Sequence, residues 1–448
     1  KPVDELWTNL GPEVINISYT GSRSIIHRVI QIDFSSISAF LTGFSTYPQP
    51  LRLRLRIFTI FFLYKQTHQA VRKGELSTIM KLVFDKADLV KSVGIAMKAV
   101  SGKTTMPILE CILIDASSNV IKFTSNDMEL GIETIVTGMI LERGIVALDA
   151  KIFSEIVRKL PDNQVTIETD ENLVTTITCE KAKFSIPGQS GEDFSYLPIL
   201  ETSDCVSISQ FTLKELIRQT IFSIAANENN KLMTGELFEI KDNTLRVVSL
   251  DGHRIAIRRI ELKDSYPDRK VVVPGKTLNE ISKILSGEMD DQIDIYFSEN
   301  HIMFKFDDTT VVSRLIDGEY FRIDQMLSSD YETKVTINKK EFLSCIDRAT
   351  LLVKEGDKKP IIIDIQDGAM ELQINSAMGS MKEEIDINKE GKDIMIGFNP
   401  KFLIDALRVI DDEEISIYLV NPKAPCFIRN EEESYIYLIL PVNFNSVR

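Results

Sequence analysis

The chain repeats itself at a period near 125 residues. Three segments, Lys86–Met97, Thr212–Phe222 and Lys339–Ala349, share a basic start and an apolar i, i+3, i+4 stripe, which predicts helices. Aligned on Leu89, Leu216 and Leu343, they stand 127 and 127 residues apart. A second set, Ala150–Leu160, Gly275–Leu285 and Pro400–Ile410, places Lys151, Lys276 and Lys401 at spacings of 125 and 125. Both markers fall within residues 80–448, a stretch of 369 that divides into three units of 123. Between the helices the pattern changes to strand-like alternation, as in Val165–Thr169, Thr244–Ser249, Ile293–Phe297 and Glu414–Leu419. Asp242-Asn243 and Asp367-Gly368 read as turns between strands. Each repeat is therefore two β-rich halves carrying one helix apiece. The expected fold is α+β in three domains, 80–206, 207–332 and 333–448. Each unit is too long for a solenoid repeat and large enough for a core of its own.

Residues 1–79 have a different character. They carry nine Lys+Arg against five Asp+Glu, whereas residues 80–448 carry 43 against 61. The only Trp and 10 of the 35 aromatic residues lie in this first stretch. The alternation Leu51-Arg-Leu-Arg-Leu-Arg56 leads into an eight-residue run, Ile57–Tyr64, too short for the ~20 residues that span a bilayer. A secretory leader's ordered regions are absent from its start. The segment reads as an accessory arm, an edge strand or sequence foreign to the repeats. The last is the expectation, because Met80 opens sequence of another kind. The five cysteines, Cys111, Cys179, Cys205, Cys345 and Cys426, are nowhere closer than 26 residues. That spacing suits neither a disulfide framework nor a zinc site, and implies a reducing cytoplasm.

The net charge of −14 argues against nucleic acid only if the charge is evenly spread. Windows over the six helices hold 15 Lys+Arg against 7 Asp+Glu, a net of +8, which leaves −26 on the rest of residues 80–448. Lysines commonly decorate solvated helix faces, but six helices of one sign in an acidic chain point to a basic helical surface set against an acidic β surface. Helices packed about 9.5 Å apart would enclose roughly 18 Å if six formed a ring, and roughly 36 Å if twelve did. Only the latter admits a duplex, so a ring around DNA requires two chains. Domain sheets joined edge to edge would also hide their strand edges.

A set of short motifs runs through all three repeats: Met106-Pro-Ile-Leu109, Phe123-Thr-Ser-Asn-Asp-Met-Glu-Leu130, Leu250-Asp-Gly-His-Arg-Ile255, Val271-Val-Val-Pro274, Leu315-Ile-Asp-Gly318, Ile396-Gly-Phe-Asn399 and Leu438-Ile-Leu-Pro-Val442. With these, residues 80–448 resemble the bacterial DNA polymerase III β subunit, the sliding clamp. The resemblance implies helices lining the inside and sheets outside of a head-to-tail homodimeric ring around duplex DNA. It implies a cleft between the second and third domains for short linear peptides of the clamp loader and the polymerase catalytic subunit. That cleft would use Met233, Leu250, Gly252, His253, Arg254, Ile255, Phe321, Met326, Pro425, Leu438, Ile439, Leu440, Pro441 and Val442. An apolar groove of this kind takes aliphatic and aromatic anchors, and its methionines permit repacking around several partners. Phe321 stands where the family usually has proline, which would reshape the floor. The chain also runs six residues past Val442.

Sequence-independent phosphate contacts would fall to Lys103, Asn227 and Lys231. On the helices they would fall to Lys91, Lys98, Arg158, Lys159, Arg218, Lys276, Lys283, Lys340, Arg348, Lys401 and Arg408. The implied dimer contact sets Phe184 and Ile186 against Leu351 and Leu352, with Lys181 and Lys183 facing Glu383 and Glu384. No catalytic residue, metal, cofactor or membrane is expected. Ser101–Thr105 and Pro274–Thr277 look like the ends of phosphate-binding loops, but Met97 and Lys270 occupy the place of the required first glycine. His253 has no nucleophile pattern beside it, and the acidic runs at Asp290, Asp411 and Glu431 lack Ca²⁺-loop spacing. Two rival readings are an acidic protein scaffold that never meets DNA and a repeat-built enzyme with an interdomain site.

Overall fold

The computed structural model describes residues 79–102, 104–200, 205–226, 230–353 and 359–444. The arm expected over residues 1–79 lies outside the described residues but for Ile79, as do Lys103 and Asn227. Six α-helices occupy the repeating positions: α1 Lys86–Ala96, α2 Ala150–Lys159, α3 Gln210–Arg218, α4 Gly275–Ile284, α5 Lys339–Thr350 and α6 Pro400–Val409. They pack as pairs, α1 on α2, α3 on α4 and α5 on α6. Four of them start where a preceding residue turns its side chain onto the first free N–H groups: Asp149 accepts from Ile152, Ser209 from Thr212, Asn338 from Glu341 and Asn399 from Lys401. Gly275, where the phosphate-loop likeness fails and a helix start is expected instead, is the first residue of α4.

Each helix pair closes a separate hydrophobic core. Phe84, Phe123 and Phe153 meet edge to face in the first, with centroids 6.0 and 6.2 Å apart. Phe238, Leu278 and Phe304 lie in the second, and Phe342, Leu372 and Leu407 in the third. Among the described residues the strands form sheets of thirteen, seven and four. Two of these cross from repeat to repeat. Leu130–Val136 pairs antiparallel with Thr309–Arg314, placing Ile132 opposite Val311, and the Thr134 and Thr309 hydroxyls share a 2.9 Å hydrogen bond. Arg254–Pro274 likewise pairs with Tyr435–Ile439, placing Ile255 opposite Leu438.

At Asp242-Asn243 the chain doubles back as expected: Glu239 pairs across the turn with Arg246, and Glu236 and Ser249 both meet Thr220. Gly235–Leu250 meets Arg254–Pro274 as two arms, residues 235–240 against 269–274 and residues 244–250 against 255–261. Asp242 takes φ +54°, which a short polar side chain tolerates. Each arm serves two cores through its opposite faces: Phe238, Ile240, Leu245 and Val247 face the second core, while Leu237, Val248 and Leu250 face a separate cluster at the junction with the third repeat. At Asp367-Gly368 a tight turn forms as expected, with Gly368 at φ +78°.

Candidate groove, basic helices and free strand edges

The junction cluster is the candidate floor of the peptide groove. Leu250, Ile255 and Leu438 are buried in it beside Ile323, Phe427 and Ile436, with Met233, Tyr320 and Phe321 packed against them. Tyr320 and Phe321 meet edge to face at 5.5 Å. Met326 and Leu440 are exposed large apolar residues. Gly252 sits at φ +87° in the turn that brings His253 beside this edge, and the Asp251 carboxylate accepts from His253 N and Arg254 N at 2.9 and 3.1 Å. Leu440 N donates to His253 O at 2.9 Å, and Val442 N to Gly397 O at 2.8 Å, so Leu440–Val442 is laid along the junction. Pro441 and Val442 are half-buried there, as is Pro425 on the turn before Cys426–Arg429.

Two residues assigned to the cleft do not face it. Side chains alternate along a strand, so Ile436 and Leu438 join the groove cluster while Tyr437 and Ile439 enter the third core. Arg254 is buried as a lock between repeats. Its guanidinium donates to Asp251 Oδ2 at 3.0 Å, Asp405 Oδ2 at 2.7 Å and Phe222 O at 2.6 Å, and it lies 4.6 Å from the Phe402 ring centroid and 5.3 Å from that of Phe222.

Several helix cations assigned to phosphate are likewise committed within the chain. Arg218 binds Glu215, Asp411 and the Val409 carbonyl, with 2.8 Å to Asp411 Oδ2. Hydrogen bonding to Glu215 leads the causes that hold its proton more tightly than usual. Lys276 pairs with Asp127, and Lys98 stands 3.9 Å from Glu280. Lys283 pairs with Glu280 at 2.7 Å and Arg408 with Asp347 at 3.3 Å, while Arg158 Nε donates to Ser154 O at 3.2 Å. Arg348 grips Glu383, with Nε 3.0 Å from Oε2, which holds the Glu383 carboxyl below the usual range. Lys91, Lys159, Lys231, Lys340 and Lys401 are exposed and have no ion pair among the described residues.

Three family models cover the repeats in order: the N-terminal, central and C-terminal domains of the DNA polymerase III beta subunit match residues 80–198, 207–321 and 324–443. The chain belongs to the DNA polymerase III beta subunit family of sliding clamps. A beta sliding clamp of Staphylococcus epidermidis is 33% identical over 375 residues, 81% of this chain and 99% of that protein. A crystal structure of a putative DNA polymerase III beta subunit from Eubacterium rectale superposes with a TM-score of 0.80 at 71% identity, covering 82% of this chain and all of that one. The Bacillus subtilis sliding clamp gives 0.79 at 35% identity, with 82% and 100% covered. A sliding clamp is a non-catalytic processivity factor in DNA replication, and neither rival reading draws support from these relatives.

Several strands of the clamp pair on one side only among the described residues, Met139–Glu142, Cys205–Ser209 and Asn388–Gly391 among them, and two such edges carry residues assigned to the dimer contact. Ala182–Pro187 pairs only with Val174–Cys179 on one side, and Gly379–Asp386 only with Ala369–Ser376. Phe184 on the first edge is 41% exposed and Leu351, after α5, is 76% exposed. Ile186 and Leu352 are half-buried beside them, and Lys181, Lys183 and Glu384 are exposed. The clamp also presents Lys151, an exposed and unpaired cation at the start of α2 that the phosphate assignments above omit. The repeat had flagged it, since Lys151 corresponds to Lys276 and Lys401. Ile436 was findable too, from its parity with Leu438. The thiols of Cys111 and Cys426 are pushed up to about 11 and about 12 by burial, in keeping with cysteines that act as core residues. Among the described residues no helix is long and apolar enough to cross a membrane.

Proposed function

We propose that two copies of this clamp close head to tail around duplex DNA in the cytoplasm, each built of domains bounded near residues 206 and 332. One observation supports the reading: sheets run unbroken across both internal junctions, while the edge that holds Phe184 and Ile186 in the first repeat and the edge that holds Glu383 and Glu384 in the third pair on one side only among the described residues. Unpaired edges are a liability unless another strand covers them, and a second copy offers the complementary edge. Phe184 and Ile186 would then meet Leu351 and Leu352, with Lys181 and Lys183 beside Glu384. The unpaired helix lysines, together with Lys103 and Asn227, would hold phosphates without reading bases. The groove would take short peptides of the loader and the polymerase in extended form, anchored by aliphatic and aromatic side chains on Leu250, Ile255 and Leu438.

Retention on nicked circular DNA tests the topology. The clamp, loaded on a circle, should stay through a gel-filtration run and leave within minutes of linearisation. A complex that survives linearisation would mean groove binding instead. Charge reversal of Lys91, Lys159, Lys340 and Lys401 together should flatten the dependence of log K on log salt by about 0.9 for each phosphate that is no longer neutralised, with dimerisation unchanged. An unaltered slope would remove these lysines from the DNA surface.

A further inference from the structure

The junction between the first and second repeats has the same frame as the groove between the second and third. Leu130–Val136 and Thr309–Arg314 pair so that Gly131 stands opposite Val312, as Ile255 stands opposite Leu438. The turn before each pair is shared too. Asp127 Oδ1 accepts from Glu129 N and Leu130 N at 3.0 and 2.7 Å, and Asp251 Oδ1 does the same for His253 N and Arg254 N. Met128 holds the place of Gly252, 124 residues on, with the same left-handed backbone, φ +75° against +87°. Tyr196 and Leu197 hold the places of Tyr320 and Phe321 at the same spacing. A Cβ on Gly131 would overlap Leu197 Cδ2, so a linker leucine covers Gly131 where the sister groove has the Ile255 side chain. Asn126 ties this linker down, with Nδ2 donating to Ser195 O at 3.1 Å.

A cavity of about 250 Å³ opens here, lined by Met128, Glu129, Tyr196, Leu197, His301 and Val312 among others. Val312 is buried and Leu197 half-buried, while Met128 and Tyr196 are 58% and 43% exposed. Methionine is a costly choice for a left-handed turn in which the sister repeat has glycine. Backbone strain kept in this way clusters at binding surfaces. Glu129 stands in the place of His253. It is exposed, has no ion pair among the described residues, and is the one carboxylate that lines the cavity. The same linker carries Glu192 and Asp193, both exposed, just ahead of it. Arg314 is exposed at the end of the Val312 strand but lies outside the lining. We propose that this cavity is a second peptide site of the clamp, for a short extended segment with an aliphatic anchor beside a lysine or arginine. The anchor would rest on Leu197 and Val312, with the adaptable Met128 thioether closing over it. The basic group would meet Glu129. The inference takes its ligand class from the groove proposed above and its charge preference from this site alone.

Photo-crosslinking on the full clamp tests this. The probe is a capped pentapeptide with photo-leucine at its centre, a lysine on each side and glycine at both ends. Crosslinks are mapped by mass spectrometry. The wild type should crosslink at Met128, Tyr196 or Leu197 as well as in the groove between the second and third repeats. The yield at the first junction should fall as salt rises. Glu129→Lys should cut that yield about tenfold and leave the yield in the other groove unchanged. Glutamate in place of both probe lysines should have the same effect. Met128→Gly gives the turn the sister's residue, so its melting temperature should equal or exceed that of the wild type while the yield falls. No crosslink at the first junction, or one that Glu129→Lys leaves undiminished, would overturn the inference. Crosslinks at the first junction alone would uphold it and remove the other groove as a peptide site.

Discussion

Glutamate at Phe184 and Leu351 together should turn a stable dimer into monomers and abolish retention on circular DNA. Both residues are exposed in the single chain, so neither substitution should disturb the fold. In a head-to-tail ring each seam contains one Phe184 and one Leu351, and a closed ring has two seams. Burying a Phe or Leu side chain contributes about 1.5–3 kcal/mol, so each seam loses about 3–6 kcal/mol before repulsion is counted. The new carboxylates would also lie in an apolar contact near Glu384, which deepens the loss. At about 1.4 kcal/mol per tenfold change, the dimer dissociation constant should rise at least a hundredfold. Sedimentation velocity at micromolar protein reads this directly. A double variant that sediments as the wild type would place the seam elsewhere.

Arg254→Ala should destabilise the junction between the second and third domains by about 3–5 kcal/mol. Removing the guanidinium strands the Asp405 and Asp251 carboxylates in a site that holds little water, and loss of the other half of a buried ion pair is what makes such deletions severe. It also frees the Phe222 carbonyl and ends the stacking on Phe402. Lysine should rescue only part of this, because one ammonium cannot span three acceptors on two domains. Thermal unfolding of the full chain, with protease susceptibility near residue 330 as a second readout, measures the effect. Unchanged stability with weakened peptide binding would instead return Arg254 to the groove as a contact residue.

The helices were legible in the sequence because a 3.6-residue stripe on a 125-residue repeat is a strong and redundant signal. The cores followed from it in part: Leu89 and Leu216 are buried where the stripe puts them, but in the third repeat Phe342 is buried and the aligned Leu343 only half-buried. Charge was legible as a sum but not as partners. A count by element cannot see that Arg218 is held by Asp411 of the next domain, or that Lys276 reaches back to Asp127, because each partner lies more than a hundred residues away. The groove was readable as far as motif likeness goes. Likeness names a stretch such as Leu438–Val442, but strand parity decides which of its residues face out, and Ile439 was lost on that point. The turn at Asp242-Asn243 was legible because a short polar pair between two alternating runs suits a two-residue hairpin.

The sheets that pass through both internal junctions make the chain stiff along its length. Bending at either junction would have to break a ladder of strand pairs, Leu130–Ser313 to Thr134–Thr309 in one case and Arg254–Ile439 to Arg258–Tyr435 in the other, rather than swing a linker. Each ladder is further pinned by ion pairs between helices and neighbouring domains. Load applied to such a body is shared across the joints and flows to the most compliant element. In an assembly of two copies that element is the seam between chains, which lacks any covalent connection. A machine that prises the assembly apart therefore has no need to deform a domain. It can treat each chain as a rigid lever and concentrate its work at one seam, leaving the other as the fulcrum.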